Sequence, residues 1–205
     1  MAGTIWNISD VGPGADFTLS LVNLKATKSA NAFASGIRST NPKTAGLLYA
    51  EMTGNNIGFR AWAGIADAAA TNGSFRANTN GMFGVDNTGS VSLNNTPFGP
   101  GLALGFNTAR VVSLAVDFTN NRAWVKTDNG NWNGSGTANP ATNTGGADIS
   151  AIVSGGIMLM FQAETINDAA TINLGGSAFV YTMPSGFSSW DTQVFPNTAY
   201  GSVIS

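Results

Sequence analysis

Residues 111–118 read Val-Val-Ser-Leu-Ala-Val-Asp-Phe, and this alternation of large apolar with small or polar side chains predicts a β-strand. Successive side chains of a strand point to opposite sides, so the apolar residues at every second position from Val112 to Phe118 can share one buried face. The Asn-Asn pair at 120–121 suits a tight turn and leads into a second predicted strand at 122–127. Together these residues predict an antiparallel hairpin with one face in a core.

The same period of two recurs along the chain. Residues 16–21 alternate in this way, and apolar side chains occupy every odd position of 57–65, which predicts two further strands. Residues 156–161 are apolar on both faces, as expected for a central strand. Turn signals rich in Asn and Gly, such as 53–56 and 86–89, separate the strands. Many short strands, long loops and little helix predict an all-β fold, an antiparallel two-sheet β-sandwich or jelly roll.

The composition favours one domain with a weakly charged surface. The chain has 205 residues, 43% of them apolar and only 10% charged, against about a quarter in a typical soluble domain. All-β sandwiches commonly reach this length without splitting, so we expect a single domain over residues 1–205. The long polar stretch 126–148 predicts a functional or mobile loop. The aromatic tail 191–205 predicts packing on the body or on a neighbour, and hence a homo-oligomer or a larger assembly.

Several classes of site are disfavoured. The net charge is −2 and there is no basic run, which argues against nucleic-acid binding. Histidine and cysteine are both absent, which removes the commonest general base and metal ligand and every disulfide. We expect no signal peptide, because the first residues lack a basic segment and a continuous apolar segment. The longest apolar stretch, 152–161, is too short for membrane insertion. We expect no metal and no cofactor.

The acidic residues do not predict catalysis. Glycan hydrolysis needs two carboxylates, about 5 Å apart in retaining enzymes and about 6.5–9.5 Å apart in inverting ones. The chain has only two glutamates, Glu51 and Glu164, and neither has an acidic neighbour two residues away. The lysines show no Ser-x-x-Lys pattern. We therefore predict no catalytic residues and a protein that is not an enzyme, with carboxylates that meet from distant strands as the alternative.

Three groups of residues carry a resemblance to a known family: 111–117 with 122–125 and 129–130, then 131–134 with 139–142 and 145–146, then 171–175 with 179–181 and 184–187. They look like an apolar strand that ends in Asp with an Asn-Gly turn, a polar insert, and a closing strand with a Pro-x-Gly-Phe ending. The chain thereby resembles the SPRY family, which is related to the concanavalin A-like lectins, and specifically its bacterial and phage branch.

The resemblance spans roughly residues 35–190, more loosely upstream of residue 111. Leu174 stands where the family usually has an aromatic residue, and the first 30 residues have no clear counterpart. The resemblance implies a β-sandwich whose loop surfaces recognise peptides or other ligands.

Two groups of residues are candidates for ligand contact. Asn131-Trp132-Asn133 sets an indole between two amides on a glycine-rich loop, an arrangement that suits the faces and hydroxyls of a sugar. The alternative is that Trp132 plugs the edge of the sandwich. Arg60 and Trp62 share one face of the predicted strand over 57–65, where core packing is the favoured alternative to ligand binding.

The leading hypothesis from the sequence is a non-catalytic carbohydrate-binding module in the virion of a bacteriophage or phage-like particle. It would recognise host surface glycans as part of a fibre, spike or decoration protein, and would become extracellular after lysis. The alternative is a structural or protein-binding module that holds neighbouring capsid, tail or fibre subunits. A glycan hydrolase is the third possibility.

Overall fold

A computed structural model describes residues 3–12, 16–31, 35–70 and 81–191. These residues form strands and three short 3₁₀ helices, with no α-helix among them. The strands are β1 (Trp6–Val11), β2 (Phe17–Ser20), β3 (Lys25–Lys28), β4 (Ser35–Ser39), β5 (Leu47–Asn56), β6 (Trp62–Asp67), β7 (Met82–Asp86), β8 (Val91–Leu93), β9 (Thr96–Pro97), β10 (Val111–Asp117), β11 (Arg122–Thr127), β12 (Ala147–Asp148), β13 (Ile157–Ala163), β14 (Ala169–Asn173) and β15 (Ser188–Ser189). The 3₁₀ helices are Trp132–Gly134, Pro140–Thr142 and Ser150–Ile152.

The strands form two sheets that face each other. The first, the seven-stranded sheet, has the order β1-β4-β13-β6-β7-β8-β9 within the described residues. The second, the eight-stranded sheet, has the order β12-β11-β10-β5-β14-β3-β2, and β15 pairs with β5 as a short parallel addition. All other pairings are antiparallel among the described strands. The predicted antiparallel two-sheet β-sandwich is confirmed.

The main core lies between the sheets. Val112, Leu114 and Val116 of β10 point inward, and Leu159 and Phe161 of β13 meet them from the other sheet. Each is at most 1% exposed, and complete burial of such a side chain contributes about 1.5–3 kcal/mol. The predicted inward face of β10 and the predicted central position of β13 are therefore confirmed.

The outer face of β10 is also buried, contrary to the prediction of a single buried face. Ala115 lies outward in a second apolar cluster with Tyr49, Trp124 and Phe187. Residues 179–187 cross over the eight-stranded sheet and supply the cover, with the Phe187 ring 6.4 Å from that of Trp124. The alternating pattern of β10 could not show this cover, because alanine and serine fit a covered face as well as an open one.

The predicted strand over 57–65 is wrong in its first half. The chain bends after β5, and β6 starts only at Trp62. Arg60 adopts a left-handed backbone with φ of 62°, which interrupts any extended strand. Phe59 is consequently 65% exposed instead of sharing a buried face with Ala61, which is fully buried.

The turn predicted at 53–56 is also wrong, because β5 continues through these residues. Glycine at position 54 lets the backbone at Asn107 come close to β5, because a Cβ at this position would lie 2.5 Å from the carbonyl oxygen of Asn107. The pairing of β5 with β14 shifts register opposite this glycine. Glycine inside a strand commonly marks such an approach or a bulge.

The end of the described chain returns to the sandwich. Ser188 and Ser189 of β15 pair with β5, and Trp190 enters the main core at 2% exposure. Within the tail predicted to pack on the body or on a neighbour, residues 192–205 lie outside the described residues. The long stretch 126–148 holds two of the 3₁₀ helices and packs on β11.

Candidate functional site at one end of the sandwich

The loops that meet at one end of the sandwich, which we call the loop end, include 57–61, 87–90, 98–110, 128–131 and 164–168. Strand register brings them together. Residues at the starts of β10 and β14 pair with the last residues of β5, and the start of β6 pairs with the ends of β7 and β13. The sequence candidates Arg60 and Asn131 both lie here, on different loops.

Hydrogen bonds tie these loops to one another. The backbone N–H of Ile57 donates to Oγ1 of Thr108 at 2.8 Å, and that of Gly58 donates to Oδ1 of Asp168 at 2.6 Å. Burial raises the pKa of Asp168, and the bonds from Gly58 and Thr165 oppose the rise. The 57–61 loop is thus hydrogen-bonded to both the 98–110 loop and the 164–168 loop.

A corner of the loop end combines exposed apolar surface with charge, and we call Phe59, Arg60, Glu164 and Ile166 the recognition corner. The Arg60 guanidinium carbon lies 4.7 Å from the ring centroid of Phe59, within cation–π range. Its Nη1 lies 3.6 Å from Oε2 of Glu164. Phe59 and Ile166 are 65% and 42% exposed. The recognition corner therefore exposes two apolar side chains beside the ion pair between Arg60 and Glu164.

Two polar atoms of the recognition corner are left without partners. Nε of Arg60 and Oε1 of Glu164 are buried, and neither has a hydrogen-bond partner among the described residues. Arg60 is also the left-handed residue of its loop. Strained non-glycine backbone and unpaired buried polar atoms both concentrate at functional sites, because folding alone does not favour them.

The predicted Asn131-Trp132-Asn133 contact group separates in the structure. Asn133 is buried, and its amide accepts from the N–H of Val125 at 2.9 Å and donates to the carbonyl oxygen of Gly145 at 2.9 Å. A longer bond of 3.4 Å runs to the carbonyl of Ala123. Asn133 thus anchors its own loop to β11 and is not available to a ligand.

Asn131 and Trp132 remain at the surface. Asn131 is exposed, and Trp132 is half-buried against the second apolar cluster. Nζ of Lys126 lies 5.0 Å from the Trp132 ring centroid and 5.3 Å from that of Tyr181. Burial lowers the pKa of Lys126, although the carboxylate of Glu51 opposes the effect. This contact occupies part of the tryptophan surface, and the edge packing of Trp132 agrees with the alternative interpretation.

Arg60 and Trp62 do not share a strand face, which corrects the sequence prediction. Arg60 precedes β6 and belongs to the recognition corner, whereas Trp62 is the first residue of β6. Trp62 is half-buried outside the main core and lines a shallow depression with Met82 and Asn95. The left-handed backbone at Arg60 separates the two side chains.

The two glutamates have different surroundings. Glu51 is 1% exposed and accepts hydrogen bonds from the Tyr49 hydroxyl at 2.9 Å and from the backbone N–H groups of Val180 and Tyr181 at 2.8 Å each. Burial raises the pKa of Tyr49. Glu51 therefore fastens the covering segment to the sheet, whereas Glu164 belongs to the recognition corner.

The part of the chain that the structure describes contains neither a cluster of metal-binding side chains nor a membrane-spanning helix. No three acidic side chains converge as a metal site in residues 3–12, 16–31, 35–70 and 81–191. Over the same ranges there is no helix long and apolar enough to cross a membrane.

The fold matches solved structures. The SPRY domain of human HERC1 is similar to this chain with a TM-score of 0.62, over 82% of this chain and 96% of that domain, at 8% sequence identity. The chain has a SPRY fold. The TRIM65 PSpry domain is similar with a TM-score of 0.54, over 84% of this chain and 90% of that domain, also at 8% identity. Neither a protein-family model nor a curated protein sequence matches this chain.

The SPRY resemblance seen in the sequence is thus confirmed for the fold. The narrower resemblance to the bacterial and phage branch stays a prediction. At 8% identity the shared fold does not specify a function, which must be argued from the site.

Sequence reasoning missed most of the recognition corner. It assigned Phe59 to a strand face and considered Glu164 only as a possible catalytic carboxylate. The available signal was Gly58 directly before Phe59 and Arg60, because a glycine in a strand pattern often marks a bend. Ile166 carried no comparable signal.

Proposed function

We propose that this chain is a non-catalytic binding module whose loop end recognises a segment of a partner protein. The observation that carries the proposal is the recognition corner, where Phe59 and Ile166 expose apolar surface beside Arg60 and Glu164. Arg60 has a strained backbone, and each of the two residues has a buried polar atom with no partner among the described residues. Aromatic and arginine side chains are enriched among the residues that dominate protein interfaces. The SPRY resemblance, which implies peptide recognition by loops, supports the same proposal.

The chemistry of the corner favours protein over sugar. Sugar recognition needs an accessible aromatic face with free planar amides around it. At the corner the Phe59 ring is stacked by a guanidinium, and exposed Ile166 has no polar group to offer a hydroxyl. A partner segment with one apolar side chain and one carbonyl or carboxylate would cover Phe59 and pair with the partly exposed side chain of Arg60.

The test is selection of a random twelve-residue peptide library on the intact chain, followed by titration of the enriched peptides. Phe59→Ala and Ile166→Ala should each raise the Kd at least tenfold. The matched control is Ile8→Ala, since Ile8 is 49% exposed on β1, away from the loop end. Enrichment of no peptide, or peptides that bind the Phe59 and Ile8 variants equally, would overturn the proposal.

A second candidate is recognition of host surface glycans by a phage or phage-like fibre, spike or decoration protein, with a place in the virion. The observation in its favour is that Asn131 and Trp132 stay at the surface side by side, with Tyr181 close to the same lysine. A glycan array with wild type and Trp132→Ala separates the candidates. Binding that Trp132→Ala abolishes and Phe59→Ala leaves intact would favour the glycan, and an empty array would remove it.

A further inference from the structure

The turn between β2 and β3, residues 21–24, exposes apolar surface. Leu21 is 61% exposed and its neighbour Val22 is 83% exposed. The turn leads into Lys25, which pairs with Thr171 near the end of β14, whereas the loop end lies at the start of β14. The turn therefore lies at the opposite end of the sandwich, away from the recognition corner.

The backbone of this turn is strained. Leu21, Val22 and Asn23 have φ of 51°, 54° and 63°, so three consecutive residues other than glycine are left-handed. Asparagine tolerates this conformation, but a β-branched valine in it is a genuine outlier. Strain of this kind persists where the surroundings compensate for it. An exposed apolar pair in a strained turn therefore points to a contact beyond the described residues.

The described chain ends close to this turn, at a point that is fixed on the body. Asp191 is 5% exposed, and its carboxylate accepts from the backbone N–H and the hydroxyl of Thr4 and from Nζ of Lys43. The N–H of Asp191 donates to the carbonyl oxygen of Leu174 at 3.0 Å. The segment 192–205 therefore departs from an anchored residue.

Two short paths join this anchor to the turn. Trp6 lies two residues after Thr4, and its N–H donates to the carbonyl oxygen of Asn23 at 2.9 Å. Ile172 lies two residues before the leucine that Asp191 contacts, and its N–H donates to the next carbonyl of the turn at 3.0 Å. Two residues of chain span at most about 7 Å. Each path therefore places Asp191 within roughly 15 Å of the turn.

The segment 192–205 fits this surface in length and in chemistry. Its fourteen residues can extend to about 46 Å, and the apolar pair Val194 and Phe195 follows Asp191 by only three and four residues. The segment contains no charged residue. Contact with the turn would remove apolar surface from water on both sides. Because the segment is attached beside the turn, its effective concentration there exceeds that of a second copy.

We propose that Val194 and Phe195 of the chain's own segment 192–205 dock on Leu21 and Val22. This contact covers the exposed apolar pair and supplies the surroundings that hold the strained turn. It also uses the apolar side chains through which the segment would otherwise pack on a neighbouring subunit. The proposal does not rest on the proposed function, since the turn and the loop end lie at opposite ends of the sandwich.

The test measures proximity in the full-length, ¹⁵N-labelled chain. The chain contains no cysteine, so Ser20→Cys provides one site for a nitroxide label, on the exposed last residue of β2 beside the turn. The oxidised label should reduce the amide signals of Val194 and Phe195 by more than half, relative to the reduced label.

A variant of the turn separates docking from mere attachment nearby. Leu21→Asn combined with Val22→Asn removes the apolar surface and keeps residues that tolerate a left-handed backbone. It should restore most of the lost signal. The matched control is Val180→Asn, since Val180 is 64% exposed on the segment that covers the eight-stranded sheet, and it should restore none. Equal broadening in the turn variant and the parent would overturn the proposal, because an undocked segment passes the label in both.

A mixture identifies which chain supplies the segment. Unlabelled chain that carries the nitroxide is mixed with ¹⁵N-labelled chain that carries none, and the signals of Val194 and Phe195 should keep their intensity. Broadening in the mixture would show that the segment of a second copy occupies the turn, and docking within one chain would then be wrong.

Discussion

Asn133 and Arg60 are two of several left-handed, non-glycine residues at or near the loop end, and their side chains behave in opposite ways. Asn133, in the 131–134 loop, has φ of 50°, and its buried amide bonds to β11 and to the backbone at Gly145. Arg60, in the 57–61 loop, has φ of 62°, and its Nε has no partner among the described residues. Backbone strain at a residue whose side chain is fully hydrogen-bonded inside the fold belongs to the scaffold, whereas strain at a residue that keeps a buried polar atom unpaired points to function.

The largest effect that tests this comparison is expected from Asn133→Ala. The change leaves the buried N–H of Val125 without its partner and removes the part-buried bond to the carbonyl of Gly145. We expect the free energy of unfolding to fall by about 2–4 kcal/mol, because unsatisfied buried groups cost about 1–3 kcal/mol each. Urea unfolding monitored by tryptophan fluorescence measures it.

The control is Asn131→Ala, two residues away. Asn131 is exposed, so its replacement should change stability by less than about 0.5 kcal/mol. Equal losses for the two variants would show that Asn133 is not a scaffold residue and would remove the difference between the loops.

The sequence predicted the scaffold better than the site for a physical reason. A strand such as β10 shows its period because every second side chain meets the same core, so the signal is repeated along the chain. The covering segment 179–187 left no such signal on β10, since small residues suit both a covered and an open face. In the sequence, the amide of Asn133 is indistinguishable from a sugar-binding amide. Only the fold shows that it is hydrogen-bonded to the backbone of β11.

The recognition corner could not be read from local pattern. Phe59 fits the alternation of 57–65, and it is exposed only because Asp168 and Thr108, distant in sequence, hold Ile57 and Gly58 in a bend. The meeting of Arg60 with Glu164 likewise depends on the pairing of β6 with β13. Such sites arise from tertiary contacts that no window of sequence contains.

A smaller effect is expected at Arg60, from a comparison of Arg60→Gly with Arg60→Ala. Both variants lose the contacts with Phe59 and Glu164, but only glycine relieves the left-handed backbone. The glycine variant should be the more stable by about 1 kcal/mol, as expected for strain of this kind. Thermal and urea unfolding of the two variants measure the difference.

At an extended, exposed position the order should reverse. Thr18→Ala on β2 should be more stable than Thr18→Gly by about 0.5–1 kcal/mol, since glycine costs backbone entropy. If alanine is also the better residue at position 60, the left-handed conformation is not strained there, and the contrast with Asn133 loses its basis.

The smallest effect concerns Lys126. This residue shares one property with each of the two compared residues, since it is buried like Asn133 and charged like Arg60. Burial lowers its pKa from the ordinary 10.5, against the opposing attraction of Glu51. Between the lowered pKa and 10.5 the unfolded chain holds a proton that the folded chain has lost. The free energy of unfolding therefore rises with pH across that window. At lower pH both states hold the proton, and this group adds no pH dependence.

Lys126→Met keeps the length of the side chain and removes the titrating amine. Subtracting its free energy of unfolding from that of wild type, at steps from pH 7.5 to 10.5, cancels the contributions of Lys28 and Tyr49, which both proteins share. Tyr181 touches Lys126, but its pKa is raised above the ordinary 10.0, so its own slope is negative and appears only near the top of the range. The difference should rise with pH. A flat or falling difference would mean that the ammonium is well solvated, and Trp132 would then be free to receive a ligand on the side that Lys126 now occupies.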